Sequence, residues 1–308
     1  IALWQSHGRY YDDSHGVWQW QRACVNRTVE DMFTQSFVIP YLIPMLENSG
    51  AYVMTPRERD INWMEIITDN DKSFPQERTG RTRREGIYSE KGRWNDAGTG
   101  FADFKEVYKF SDNPFRDGTA RMAKCSGEEA DASARWTPVI EKRGEYAVYI
   151  SYKTVPKSTT AAHYTVHHYG GDTEFLVNQK WGGGTWIYLG TFDFNEGEDG
   201  YITLDNRGEK DSIVTADAVK VGGGIGKLER GGSTSGMASS AEGASYWMQW
   251  SGVDSTITRN WKTDYTNDFA ARGLWTEMMT EEKQIPFDLS LAFHTDAGVA
   301  PGDSTIGT

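Results

Sequence analysis

A chain of 308 residues is long enough for two domains of ordinary size and for a core that buries roughly three quarters of its unfolded surface. Its formal net charge of −12 argues against nucleic acid or an anionic membrane face as a partner, because both are held by basic patches. The richest apolar run, FVIPYLIPML, carries two prolines and falls short of the roughly 20 residues a membrane span requires, so no transmembrane segment is expected.

The first run, IALW, reads as a short buried strand. It opens the chain without an initiator methionine, a charged leader or a cleavage site, so any targeting peptide is expected to have been removed or never included. Further on, TVED supplies Thr28 as a helix N-cap with Asp31 three places later. Phe33, Phe37, Tyr41 and Met45, with Val38, Leu42 and Leu46 beside them, predict one broad apolar helical face. Pro40 and Pro44 must kink or interrupt that helix. Asn48, Ser49 and Gly50 stop it, and AYVM reads as a second buried strand emptying into TPRERD.

From about Trp94 the texture changes to short runs split by glycine, asparagine and aspartate: EYAVYISY, AHYTVHHY, EFLVNQ, TWIYLGTFDF, GYITLDN and SIVTADAVKV. Runs spaced near ten residues are the signature of an antiparallel β-sandwich. Beyond Val221, GGGIGKLERGGSTSGMASSAEGAS reads as a flexible connector or a mobile active-site loop. Helical spacing then returns in DYTNDFAARGLWTEMM, where Tyr265, Phe269, Trp275 and Met279 fall near one face, and FDLSLAFH follows as a third buried strand. The simplest account is an α/β fold, a mostly parallel sheet flanked by helices, interrupted by an inserted antiparallel β-sandwich. The expected divisions are 1–93 for the first α/β part, 94–224 for the sandwich, and 225–308 for a linker and the second α/β part.

Three potential metal ligands hold equivalent places in this scheme. His7 lies just past the first strand, Glu30 in the first turn of the helix, and His294 at the end of the last strand. Ligands of an open parallel sheet gather beyond the carboxyl ends of its strands. Two imidazoles and a carboxylate make a zinc set with a fourth position open for water. The same residues also fit a hydrogen-bonded loop histidine and a glutamate that complements a helix dipole. His15 repeats the Ser-His-Gly context, but in a polar loop with no strand before it. His163 and His167 share one face of a strand because their separation is even, which suits a solvated sheet face. VGGGIGKL is not a phosphate loop: Val221 stands where the first glycine belongs and Leu228 where a magnesium-binding hydroxyl belongs. Cys24 and Cys125 match neither a disulfide framework nor a zinc-ribbon spacing. Of the twelve tryptophans, Trp181 and Trp186, with Tyr188, flank the triple glycine and offer a stacking platform for sugar rings, with core packing as the competing use.

The segments SHGRYYDD, TVED, LENSGAYVMTPRERD and DLSLAFHTDAG, in that order, resemble the zinc-dependent N-acetylmuramoyl-L-alanine amidases of bacterial cell walls. That resemblance implies His7, Glu30 and His294 as ligands of Zn2+, Arg57, Asp60 and Asp296 at the substrate, and Arg272 with Trp275 on the helix before the last strand. It implies attack of zinc-bound water on an amide between a glycan lactyl group and a peptide, with peptidoglycan as partner. It also implies a catalytic glutamate on a later strand. None follows His294, so the general base is unassigned and the second α/β part is expected to be truncated. Trp4, Gln5 and Ser6 replace the family's usual turn before the first histidine, which predicts a different substrate edge.

The middle segment, from GEYAVYISY to TADAVKV, is similar to the golvesin and xanthan-lyase type of carbohydrate-binding β-sandwich. Together the resemblances imply a protein of the bacterial cell envelope, periplasmic, outer-surface or secreted. Two rivals accompany the amidase expectation: a non-catalytic glycan-binding protein on a degenerate amidase scaffold, and a xanthan lyase-like polysaccharide lyase, with another polysaccharide as partner in either case.

Overall fold

A computed structural model describes residues 1–24, 27–71 and 86–295. The chain begins with strands β1 (Ala2–Gln5), β2 (Arg9–Asp12) and β3 (Val17–Trp20), then helix α1 (Glu30–Phe37) and helix α2 (Ile43–Asn48). A π-helical turn at Val38–Leu42 separates the two helices, where Pro40 withholds an amide donor from the regular ladder. Twelve strands follow: β4 (Glu65–Thr68), β5 (Ile87–Lys91), β6 (Asn95–Gly100), β7 (Gly118–Lys124), β8 (Ser133–Thr137), β9 (Gly144–Ile150), β10 (Ala162–His168), β11 (Gly171–Val177), β12 (Ile187–Phe194), β13 (Tyr201–Asp205), β14 (Ile213–Ala216) and β15 (Val219–Gly222). Helices α3 (Ala244–Trp250), α4 (Ser255–Thr258) and α5 (Asp264–Glu281) precede the last strand, β16 (Ser290–Phe293). No described helix is long and apolar enough to cross a membrane.

Two antiparallel sheets dominate, in the orders β11-β10-β13-β8-β5 and β12-β9-β15-β4. A smaller sheet, β14-β7-β6, completes this β-rich body. Trp136, Tyr164, Val166, Ile202 and Leu204 from the first sheet meet Ile66, Val148, Ile150, Val219 and Val221 from the second in one buried cluster. The opposite face of the four-stranded sheet is covered too: Ile67, Ala147, Tyr149 and Ala218 pack with Trp186, Trp247 and Trp250. This explains a difference in the sequence. β9, sealed on both faces, is almost continuously buried, whereas β10 alternates because one of its faces meets water.

The expected antiparallel β-sandwich is present, whereas the expected α/β part, a mostly parallel sheet flanked by helices, is corrected. Parallel pairing between named strands is confined, among the described residues, to β1 with β16, extended by a single parallel bridge from Ala2 to Met54. The architecture is therefore mostly antiparallel and sandwich-like. The expected boundary at residue 94 falls inside that body, since β4 pairs with β15 and β5 with β8.

The helical face is also redistributed. Val38 and Ile43 are buried against Leu3 and Val53, while Phe33, Phe37, Tyr41 and Met45 are exposed. Thr28 does not cap α1, whose N-cap is Val29 without a side-chain hydrogen bond. In α5, Trp275 and Met279 are buried but Phe269 is exposed. The Gly/Ser-rich stretch is no free connector. Gly226 N donates to Met237 O, Ser239 N to Gly224 O, and the stretch leads into α3, every residue of which is buried. Cys24 is exposed and Cys125 buried, and both are free thiols.

Candidate functional site

The β1–β16 ribbon carries a side-chain cluster at its carboxyl end. His7 follows β1, Glu30 opens α1 and His294 follows β16. One ligand atom from each lies within 4.8 Å of the others. The two imidazoles meet edge to face with ring centroids 5.1 Å apart. His294 Nδ1 is 3.5 Å from Glu30 Oε1, which also accepts from Thr295 N at 3.3 Å. Behind them, Ser6 Oγ and Thr34 Oγ1 share a buried hydrogen bond of 2.9 Å that ties the end of β1 to α1.

Two guanidiniums flank this cluster. Arg22 Nη2 is 3.0 Å from His7 Nε2, and Arg22 Nε donates to Glu30 Oε2 at 3.3 Å. Arg272 Nη2 is 3.2 Å from His7 Nδ1 and is held on its other side by Asp268. Burial first, then Arg272 and Arg22, push the His7 imidazole down to about 2, so it is neutral at any ordinary pH. His294 is also lowered, by burial and by Arg272, with Glu30 opposing. Neutral imidazoles beside a carboxylate are the donor set that suits zinc. The fit carries one condition: Arg22 shares two of the three ligands, so its side chain must turn aside for a cation to take them. Arg22 is the neighbour that spacing in the sequence did not single out. It precedes α1 in a loop, with no periodicity to mark it.

The residues expected at a substrate are placed otherwise. Arg57 is 1% exposed and spends its guanidinium on the carbonyls of His7, Ser240 and Glu242. Asp60 is buried and accepts from Ala147 N at 2.7 Å and from Asn62. Both are internal ties. Asp296 lies outside the described residues. His15 sits on an exposed turn, paired with Asp12 at 2.6 Å.

The aromatic trio divides. Trp186 is 4% exposed and packs on Phe101 and Phe115, so it is a core residue and the expectation of a sugar-stacking role is corrected. Trp181 and Tyr188 line a cleft of about 860 Å³ between β11 and β12, the 49–54 segment and the 285–289 segment. Tyr52, Phe175, Leu176 and Phe287 line it too. Trp181 is 41% exposed. Tyr188 has one ring face covered by the Arg59 guanidinium, 3.8 Å from its centroid, and Glu47 holds that guanidinium with two hydrogen bonds. The cleft is thus walled by aromatic edges and offers Trp181 as its exposed indole. Tyr52, Phe175 and Phe287 come from three separate segments, and no local pattern could have joined them.

Residues 82–223 match the Golvesin C-terminal domain family. The chain is 31% identical over 157 residues to a xanthan lyase of Bacillus sp. (strain GL1), an alignment covering 50% of this chain and 14% of that protein. Among solved structures it is similar to a Paenibacillus xanthan lyase, with a TM-score of 0.39, 26% identity, and coverage of 52% of this chain and 13% of the other. A CBM35 of Cellvibrio japonicus Abf62 is similar with a TM-score of 0.33, 14% identity, and coverage of 53% and 95%. The chain spans about one seventh of the length of the Bacillus xanthan lyase it matches. The expected zinc-dependent amidase is overturned by these findings. Half of the chain aligns with a lyase, the matched family is the golvesin type, and the described parallel pairing is a two-stranded ribbon in place of an open parallel sheet.

Proposed function

We propose that this chain is a polysaccharide-binding protein that holds its glycan in the aromatic cleft around Trp181. The observation that carries the reading is the cleft itself: about 860 Å³, walled by Tyr52, Phe175, Tyr188 and Phe287, with one indole left half open to solvent. Sugar rings present apolar C–H faces, and aromatic side chains with a polar edge suit them. The golvesin-type match and the 31% identity to a xanthan lyase support a polysaccharide as the ligand class. A role among extracellular or cell-surface polysaccharides follows from the same reading. Calorimetric titration with xanthan tests it: Trp181→Ala should weaken binding by up to about tenfold. Equal binding by the wild type and the variant removes the cleft from the account.

A second reading is carried by a different observation, the convergence of His7, Glu30 and His294 within 4.8 Å. We propose that these three hold Zn2+, leaving a fourth position to water or a glycan oxygen. Metal analysis of the purified protein, with His7→Ala and His294→Ala as controls, tests this independently of the cleft. Stoichiometric zinc lost in both variants supports it, and zinc retained in either overturns it.

A further inference from the structure

The exposed indole of Trp181 sits at the head of a triple glycine whose backbone has little freedom. Gly182 and Gly184 take φ of +69° and +74°, a region L side chains rarely adopt. A Cβ on Gly183 would lie 2.4 Å from Thr154 N, so there is no space for one. The segment after strand β9 holds the loop from below. Tyr152 OH donates to Trp181 O at 2.6 Å and Gly184 N donates to Tyr152 O at 2.8 Å.

From above, the loop is held by a residue far away in sequence. Helix α5 ends with Glu282 N and Lys283 N both donating to Met278 O, Gln284 in the left-handed region at φ +58°, and Ile285 N returning to Met279 O. This turn delivers Lys283 onto the glycines. Its Nζ donates to Gly183 O at 2.6 Å and to Gly184 O at 3.4 Å, while its own carbonyl accepts from Gly182 N at 2.9 Å. No carboxylate lies within ion-pairing reach of the ammonium among the described residues. Lys283 is half-buried, and an ammonium partly withdrawn from water and served by carbonyls alone is out of place in a merely solvated helix end.

We infer that Lys283 is a positioning residue of the glycan site, clamping the Gly182–Gly184 backbone so that Trp181 is presented to the cleft in one conformation. The inference rests on the reading of Trp181 as the stacking residue. Its physical content is preorganisation: the loop is ordered before the ligand arrives, so binding does not bear that ordering. The glycan site is then shared between the sandwich, which carries Trp181, and the helix-bearing segment behind it.

The experiment compares the wild-type chain, Lys283→Met, Lys283→Arg and Trp181→Ala in xanthan titrations and in hydrogen exchange of the Gly182 and Gly184 amides. Lys283→Met is expected to raise exchange at both amides and to weaken xanthan binding by roughly three- to tenfold, the effect of losing preorganisation at one side chain. Lys283→Arg, which keeps donors facing both carbonyls, recovers most of the affinity and of the protection. Faster exchange with unchanged affinity in Lys283→Met overturns the positioning role, and unchanged exchange overturns the clamp. Failure of the underlying glycan reading looks different: Trp181→Ala then binds xanthan as the wild type does, whatever the exchange of the glycines.

Discussion

Lys220 and Glu58 form an ion pair sealed from water, Nζ to Oε2 2.6 Å, with both side chains 0% exposed. Tyr149 OH donates to the second oxygen of Glu58, and the ammonium lies over the rings of Tyr149 and Trp247 at 4.2 and 5.1 Å. Lys220 belongs to β15 and Glu58 to the segment after Met54, so the pair fastens the α1–α2 region to the central sheet. Lys220→Met should destabilise the fold by about 3–5 kcal/mol, because it strands a buried carboxylate. Chemical denaturation measures this, and the double variant with Glu58→Gln should recover part of the loss.

Two tryptophans five positions apart should behave in opposite ways. Trp186→Ala removes a packed indole between Phe101 and Phe115 and should cost about 3–5 kcal/mol of stability while leaving glycan affinity of the folded protein unchanged. Trp181→Ala should alter the denaturation midpoint little and act on binding instead. Parallel denaturation and titration of the two variants separate the roles.

Burial raises the carboxyl groups of Asp217 and Glu242 to about 7 from ordinary values of 3.8 and 4.5. The folded chain therefore keeps protons that the unfolded chain releases near pH 4. The stability these groups supply is complete below the unfolded values and disappears as pH rises through about 7. Wild type should lose stability between pH 5 and 8, and Glu242→Gln should lose less over the same interval. Denaturant midpoints at the two pH values measure the difference, and equal slopes would remove Glu242 from this dependence.

The zinc reading assigns Arg22 the part of a competitor, since its guanidinium shares His7 and Glu30 with any cation. Arg22→Ala should bind zinc more tightly by a factor of about three to ten, the worth of one partly exposed charge-assisted contact. Competition with a chromophoric chelator measures it, and weaker binding in the variant would mean that Arg22 assists the metal.

Much of this was legible in the sequence wherever a pattern is local. IALW is legible as a buried strand, whereas SLAF forms its strand at an open edge, with Ser290 and Ala292 exposed and Leu291 and Phe293 half-buried, and the runs from Tyr146 to Val221 alternate or fill according to which faces are covered. His7, Glu30 and His294 were legible by position alone, each at the end or start of an element that the topology brings to one edge. Three things were not legible. Alternation cannot tell Trp181 from Trp186 unless the outer face of the β9 sheet is known to be covered by α3. Arg57, expected at a substrate, shows itself an internal tie only once its three carbonyl partners, one of them 185 positions on, are seen. Phe33, Phe37, Tyr41 and Met45 have the spacing of a core stripe, yet α1 buries Asp31 and Thr34, and Val38 and Ile43 go inward at and after the π-helical turn.

The parallel pairing of Ala2 with Ser290 joins segments from nearly the two extremes of the described chain. Closing a loop that long is entropically slow, and here the whole β-rich body must already be compact before the ends can find each other. The ribbon is therefore expected to register late in refolding, which pulsed hydrogen exchange of the β1 and β16 amides would check. The imidazoles it carries would then meet only after the sheets between them in sequence have packed.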